Sequence, residues 1–459
     1  MSLASKGILK LPNEVILRIL AHHPPSCGNY AMVRSEAKRL RLMASVCTRF
    51  RDIITSYAPF WTIIDNGQHP DDVELYLSRS KQAPLKVEVY LDRSERQTGE
   101  TFLRKVMEHR DRWKSLVIDY GYRSSELWDV VAKIHALLWV EHCYVNMESL
   151  VIRGGSTRSN IEDLRSLRSK CQPDAKWRVP RLKKLEMAHC IPRTDVSFRL
   201  TSCELSLGQH WLHAEDPVRD FLAFLASQPL LEALDFDARY LPARTTYPVG
   251  VPVEMPNLKR MVVTQDRLCP ETLQAITKIL QSVRTPRLNH LDYWMHIEQG
   301  YEWEGLFSHF NDYAELRSLY VTNNDDIDED QETPFSPFPL IFRRFHSLEH
   351  LEVSSGWVTL LGVVPSDIVS TPPLRTLKIC ASYAFISESL LNIMHYLMRG
   401  QHWEKLEWLE INGCAHLFKE SDWLRSIPNS RIVGKYGHHF SVYFDHEEQT
   451  SLATDRLTK

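Results

Sequence analysis

From residue 85 onward the apolar and polar positions fall into one recurring phrase, Leu-x-x-Leu-x-apolar, usually preceded by a Pro or a turn. Clear copies are Leu182/Leu185/Met187, Leu231/Leu234/Phe236, Leu258/Met261/Val263, Leu288/Leu291/Tyr293, Leu316/Leu319/Val321, Leu348/Leu351/Val353, Leu374/Leu377/Ile379 and Leu406/Leu409/Ile411. Looser copies stand at Leu116/Ile118, Leu150/Ile152 and Leu205/Leu207. The period-two tail of each phrase predicts a short strand. From Leu205 the central positions advance by 29, 27, 30, 28, 32, 26 and 32 residues, and upstream by 34, 35 and 20. A near-constant period predicts a solenoid, because one strand and its return segment cannot bury their own leucines until the next unit stacks on them. Helix-like fillers at Pro217–Ser227, Glu271–Val283 and Ser387–Arg399 fit the return segments. The expected fold class is α/β: parallel strands inside a horseshoe and helices outside, over residues 113–445. Phe440–Phe444 is expected as the capping strand, and 446–459 as a flexible tail.

The first 64 residues have a different period. Pro12 and Asn13 open a helix whose apolar positions Val15, Ile16, Ile19 and Leu20 share a face, with Asn13 expected as its cap. His22–Asn29, with two prolines and Gly28, ends it. A second helical stretch is expected from about Val33 to Ser56, with Leu42, Val46, Phe50 and Ile53 stepping down one side. Pro59-Phe60-Trp61 stops it and supplies a large aromatic anchor. The predicted organisation is a helical module over 1–64, a linker and N-terminal cap over 65–112, and the solenoid beyond.

Charge adds an asymmetry. Residues 1–64 carry nine Lys/Arg and three acids, a net of +6, which leaves −9 on the rest of a chain whose total is −3. A basic head can dock an acidic partner, and it can equally be a solvated helix face around Arg34–Arg41. Nine cysteines, an odd number without a C-x-x-C pair, read as reduced thiols. With no signal-like or membrane-length apolar run, the expectation is a soluble intracellular protein, cytoplasmic or nuclear, without nucleic-acid or membrane partners.

Leu11-Pro12-x-Glu14, Ile19-Leu20, Val46-Cys47-x-Arg49-Phe50 and Trp61 resemble, in order and rough spacing, the F-box. Tyr76–Ser80, Pro84-Leu85 and Arg112-Trp113-x-x-Leu116 are similar to the segment that follows it in fungal F-box proteins with degenerate leucine-rich repeats. The resemblance is strong over 11–118 and looser beyond; the segment His22–Leu40 is longer than the link the family usually has. Cys190, Asn324 and Cys414 stand where a leucine-rich repeat places a turn-bonding side chain. The resemblance implies a substrate-recognition adaptor of an SCF-type cullin–RING ubiquitin ligase. Its F-box would bind the adaptor subunit and through it the cullin, and its repeats would bind a target. The alternative is a ligase-independent interaction scaffold with a divergent F-box. The adaptor-binding residues would be Leu11, Pro12, Ile16, Ile19, Leu20, Val46, Phe50 and Trp61, with Pro12 and Trp61 the foremost contacts.

No Walker loop, G-x-G-x-x-G, G-x-S-x-G or H-E-x-x-H is present. Neither His135/His142/Cys143 nor His438/His439/His446 completes a metal-ligand pattern, and Asn323–Thr333 lacks the spacing of an EF-hand. The expectation is a protein without catalytic residues, metal or cofactor. In each phrase the residue after the second leucine points away from the core, which predicts an outward stripe. The stripe reads Glu186, Asp235, Val262, Asp292, Tyr320, Glu352, Lys378 and Glu410, five acids in eight positions. Stacked in parallel, these would favour a target with a basic segment.

Overall fold

A computed structural model describes residues 10–21, 39–91, 96–119, 143–153, 178–188, 198–206, 217–238, 252–265, 270–295, 313–323, 338–355, 371–381, 393–394, 397–400, 402–412, 430–436 and 439–444. The chain forms two compact units. Unit 1 comprises residues 1–188 with 195–199, and unit 2 comprises residues 189–194 with 200–459.

Unit 1 opens with helix α1 (Asn13–Ala21), a helix described over 39–46 (α2) and α3 (Thr48–Ser56). The second expected helix is thus two. Cys47 is extended (φ −161°) and its Sγ accepts from the Phe50 amide, so it caps α3 instead of continuing α2. The break redirects the apolar face: Phe50, Ile53 and Ile54 are buried, whereas Leu42 and Val46 are exposed. Asn13 does not cap α1; the Pro12 carbonyl accepts from the Val15 and Ile16 amides, and Asn13 Oδ1 accepts from Arg49.

The first parallel strands come earlier than the phrase count predicts. β1 (Ile63–Asp65) and β2 (Leu85–Tyr90) flank helix α4 (Pro70–Arg79), and α5 (Arg96–Met107) leads to β3 (Trp113–Asp119). β4 (Ser149–Arg153) and β5 (Lys184–Ala188) complete five parallel strands in chain order. Residues 65–112, expected as linker and cap, therefore carry a strand of the sheet itself. Two of these strands follow one device. Trp61, at the end of a short 3-10 turn, donates its indole N–H to the Ile54 carbonyl, and Trp113 donates to the Val106 carbonyl, each seven residues back. The large ring fills the layer between helix and strand while its polar edge satisfies a helix end.

Unit 2 continues the pattern with β6 (Ser202–Ser206), α6 (Pro217–Ala226), β7 (Ala233–Asp237), β8 (Val253–Glu254) and β9 (Arg260–Thr264). Then follow α7 (Pro270–Ser282), β10 (Val283–Arg284), β11 (His290–Met295), β12 (Ser318–Asn323), α8 (Phe338–Arg344), β13 (His350–Ser355), β14 (Thr376–Ala381) and β15 (Trp408–Asn412). β6, β7, β9 and β11–β15 form a parallel sheet in chain order, and β8 and β10 pair separately. β16 (Ser430–Tyr436) and β17 (His439–Phe444) are antiparallel, with β17 pairing antiparallel to β15, and β16 at the sheet edge.

Each central phrase position stands opposite its equivalents: Leu291 faces Met261 and Leu319, and Leu351 faces Leu319 and Leu377. All are buried, with the apolar residue two further on. The first leucine closes the turn before the strand, as where Leu316 donates to the Tyr313 carbonyl and Leu406 to that of Trp403. Phe221 of α6 meets the Phe236 ring at 5.4 Å, which puts this helix on the core side of β7. Both units are thus mixed α/β, with open sheets and sequential strand order, consistent with a solenoid-like arrangement. One phrase differs from its expected register: Cys203, not Leu205, stands opposite Leu234, so Leu205 takes the second core position. A small buried thiol replaces the usual leucine there, and burial pushes its pKa up.

The turn residues Cys190, Asn324 and Cys414, the acidic loop over 324–333 and the tail over 446–459 lie outside the described residues.

Candidate docking surfaces

Two surfaces follow from the elements just described. On the N-terminal helices, Arg39 Nη1 reaches the Leu20 carbonyl at one end of α1, while Arg49 reaches Asn13 and the Leu11 carbonyl at the other. The segment 39–49 is therefore tied to both ends of α1, with Leu42 and Val46 between the two ties and Ile19 and Val15 on α1 itself. These four are exposed by 59%, 66%, 46% and 38%. Large apolar side chains exposed on two short helices, separate from those that fill the core, suit a docking face.

The residues expected at this face divide sharply. Pro12, Ile19 and Val46 are exposed and Leu11 is half-buried. Ile16, Leu20, Phe50 and Trp61 are buried and belong to the module's own core. Trp61, expected as a foremost contact, is held edge-on by Tyr76 at 4.9 Å, with the Arg79 guanidinium 4.4 Å over its ring. It has no face left for a partner. Val15 and Leu42 are exposed as well, which a helical period alone does not reveal. Of the described basic residues of the head, Arg41 pairs with Asp72, Arg51 donates to the Ala44 carbonyl, and Arg39 and Arg49 tie the helices together.

The second surface is the strand face opposite the helices. In unit 2 the expected stripe is in register: Asp235 opposite Val262, Val262 opposite Asp292, then Tyr320, Glu352, Lys378 and Glu410, each facing the next. Glu204 adds an acid opposite Asp235 that the expected register of that phrase concealed. Lys378 lies 3.0 Å from Glu352 and 3.9 Å from Glu410, so this end neutralises itself. At the other end, burial and the Glu204 charge push the Asp235 carboxyl up to about 6, against the opposing pull of Arg260. Asp292 is also raised, chiefly by burial, though an indole hydrogen bond from Trp294 and the Arg260 charge work the other way. Tyr320 lies against the His290 ring, with centroids 5.0 Å apart.

In unit 1 the same row reads Asp65, Glu88, Val117, Val151 and Glu186, and Asp65, Glu88, Val151 and Glu186 are buried. Glu186, expected in the target-binding stripe, is clasped by Arg153 through both carboxylate oxygens, and Glu88 accepts from the Tyr90 hydroxyl at 2.6 Å. Glu186 is therefore buried in an internal ion pair and does not face outward as expected.

A further row, two residues before each central position, alternates in sign. In unit 1, Glu148 lies 3.8 Å from both Lys114 and Lys183. In unit 2, Lys259 lies 2.9 Å from Glu232, Arg317 3.4 Å from Glu349 and Arg375 2.6 Å from Glu407. Alternating charges across neighbouring strands hold register, with modest energy per exposed pair.

Among the described residues no cluster of three His, Cys, Asp or Glu side chains could hold a metal ion, and no helix is long and apolar enough to cross a membrane. Of the residues considered for metal binding, His135, His142, His438 and His446 lie outside the described residues. Comparison with protein-family models and with curated proteins returns no match for this chain.

Proposed function

We propose that the chain is a non-enzymatic substrate-recognition adaptor of an SCF-type ubiquitin ligase, an F-box module followed by degenerate leucine-rich repeats. The exposed strip of Val15, Ile19, Leu42 and Val46 docks the ligase's adaptor subunit, with Leu11 and Pro12 at its margin. The open strand face of unit 2 receives the target protein, and ubiquitin transfer occurs on other subunits. One observation carries the reading: four large apolar side chains are presented on α1 and α2 while a separate set, from Ile16 to Trp61, completes the core beneath them. Such a division costs solubility unless a partner covers the strip.

The experiment is capture of purified adaptor subunit by the full chain, wild type against Ile19→Glu and Val46→Glu. Both positions are exposed, so thermal melting should move little while capture is lost. Unchanged capture by both variants, or no capture by the wild type, refutes the ligase reading. The second reading, a ligase-independent scaffold, draws on the unusually long segment between α1 and α2, and it predicts the latter outcome.

A further inference from the structure

On the open face of unit 2, β9 presents two short side chains, Val262 and Thr264, between longer ones on both neighbouring strands. Asp235 and Asp237 of β7 stand in register on one side, and Asp292 and Trp294 of β11 on the other. Neighbouring strands lie about 4.8 Å apart, so the two walls rise about 10 Å apart. Val262 is buried, which makes the floor apolar at that end. Glu204 extends the acidic wall by one strand and Tyr320 extends the aromatic wall.

Two features mark this slot within the face. Trp294 is 42% exposed, the most exposed of the described tryptophans; its indole bonds to Asp292 and still leaves ring surface in solvent beside a buried apolar position, which is typical of an interface anchor. The slot also holds the part of the stripe that Lys378 does not reach. Among the described residues Arg260 draws on Asp235 and Asp292, and the Ser206 hydroxyl donates to Asp237 Oδ2 at 3.3 Å.

We infer that this slot receives an arginine side chain of the target protein, its guanidinium stacked on Trp294 and facing Asp235 and Asp237. The inference rests on the proposal that unit 2's strand face is the target-binding surface, and it names the chemistry that face selects. Arginine fits better than lysine because a planar guanidinium can lie on an indole while its edge donates in a fork to carboxylates. A small metal ion fits poorly, because walls about 10 Å apart cannot converge on one centre.

The test uses a fluorescein-labelled hepta-arginine peptide, with hepta-lysine and hepta-glutamate as comparators, titrated with the full chain near physiological salt and read by anisotropy. Hepta-arginine should bind more tightly than hepta-lysine, and hepta-glutamate should not bind. Trp294→Ala and Asp237→Asn should each weaken the arginine peptide about tenfold, whereas Trp294→Phe, which keeps a π face, should keep most of the affinity. Melting curves establish that each variant is folded. Absence of arginine binding overturns the inference. So does binding that Trp294→Ala leaves intact, or equal affinity for lysine and arginine, since either reduces the effect to charge alone. Adaptor capture measured on the same preparations separates the two proposals. Capture without arginine binding refutes the slot alone; arginine binding without capture refutes the ligase reading and leaves the slot standing.

Discussion

Replacing Asp235 by Asn should stabilise the protein at neutral pH and lose most of that gain in acid. The Asp235 carboxyl is displaced from 3.8 to about 6, first by burial and then by Glu204, with Arg260 only partly offsetting them. At about 1.4 kcal/mol per unit the whole displacement corresponds to about 3 kcal/mol, and solvent screening at this half-open site reduces it to about 1–2 kcal/mol. A carboxyl that is harder to ionise folded than unfolded is a burden only when ionised. Below the unfolded value both states are protonated and the burden vanishes; it grows between about pH 4 and 6 and is constant above. The isosteric amide removes the charge at every pH. The melting temperature of Asp235→Asn should therefore exceed wild type by roughly 2–4 °C at pH 8, with only a small remainder at pH 4. The difference between variant and wild type is what counts, because it cancels every other titrating group. A gain of equal size at pH 4, or a loss at pH 8, would refute the reasoning, the latter by showing that Arg260 makes the carboxylate a net asset. Because Asp235 also lines the proposed arginine slot, a gain in stability with a loss of peptide affinity is the expected trade of function against fold.

Three further predictions concern the frame. Trp61→Ala should cost about 3–5 kcal/mol by urea unfolding, because it removes a buried ring and orphans the Ile54 carbonyl; a fully folded variant that had lost adaptor capture would make Trp61 a contact after all. Lys81 holds φ 52° just after α4, so Lys81→Gly should stabilise by about 0.5–1 kcal/mol, read as a shift in the urea midpoint without a change of slope. A Cβ on Gly400 would stand 1.9 Å from Thr371 Oγ1, so Gly400→Ala should destabilise by about 1–3 kcal/mol, with partial rescue when Thr371→Ala is added.

The repeat was legible because its leucines are obliged to be buried, and a period of obligation can be counted. Cys203 escaped because a thiol fills a leucine's place while Leu205 mimics the phrase two residues late. β1 and β2 escaped because Ile63-Ile64 is too short to show a period, and Leu85-x-Val87-x-Val89 alternates without the leading leucine that marks the others. The outward stripe was legible as a list of residues, but its charge balance was not. Arg153 reaches Glu186 from 33 residues away, and Lys378 reaches Glu352 only once register puts them side by side. At the head, one extended residue, Cys47, turned a single predicted face into two. It sent Phe50 inward and left Val46 outside, a distinction that hydrophobicity alone does not carry.

The division of labour between head and repeats is tested most directly by hydrogen–deuterium exchange of the full chain, alone and saturated with adaptor subunit. Protection is expected over 13–21 and 39–46, with the strands of unit 2 exchanging as before. Protection that falls on β7, β9 or β11 instead, or on no segment of the head, would contradict the account.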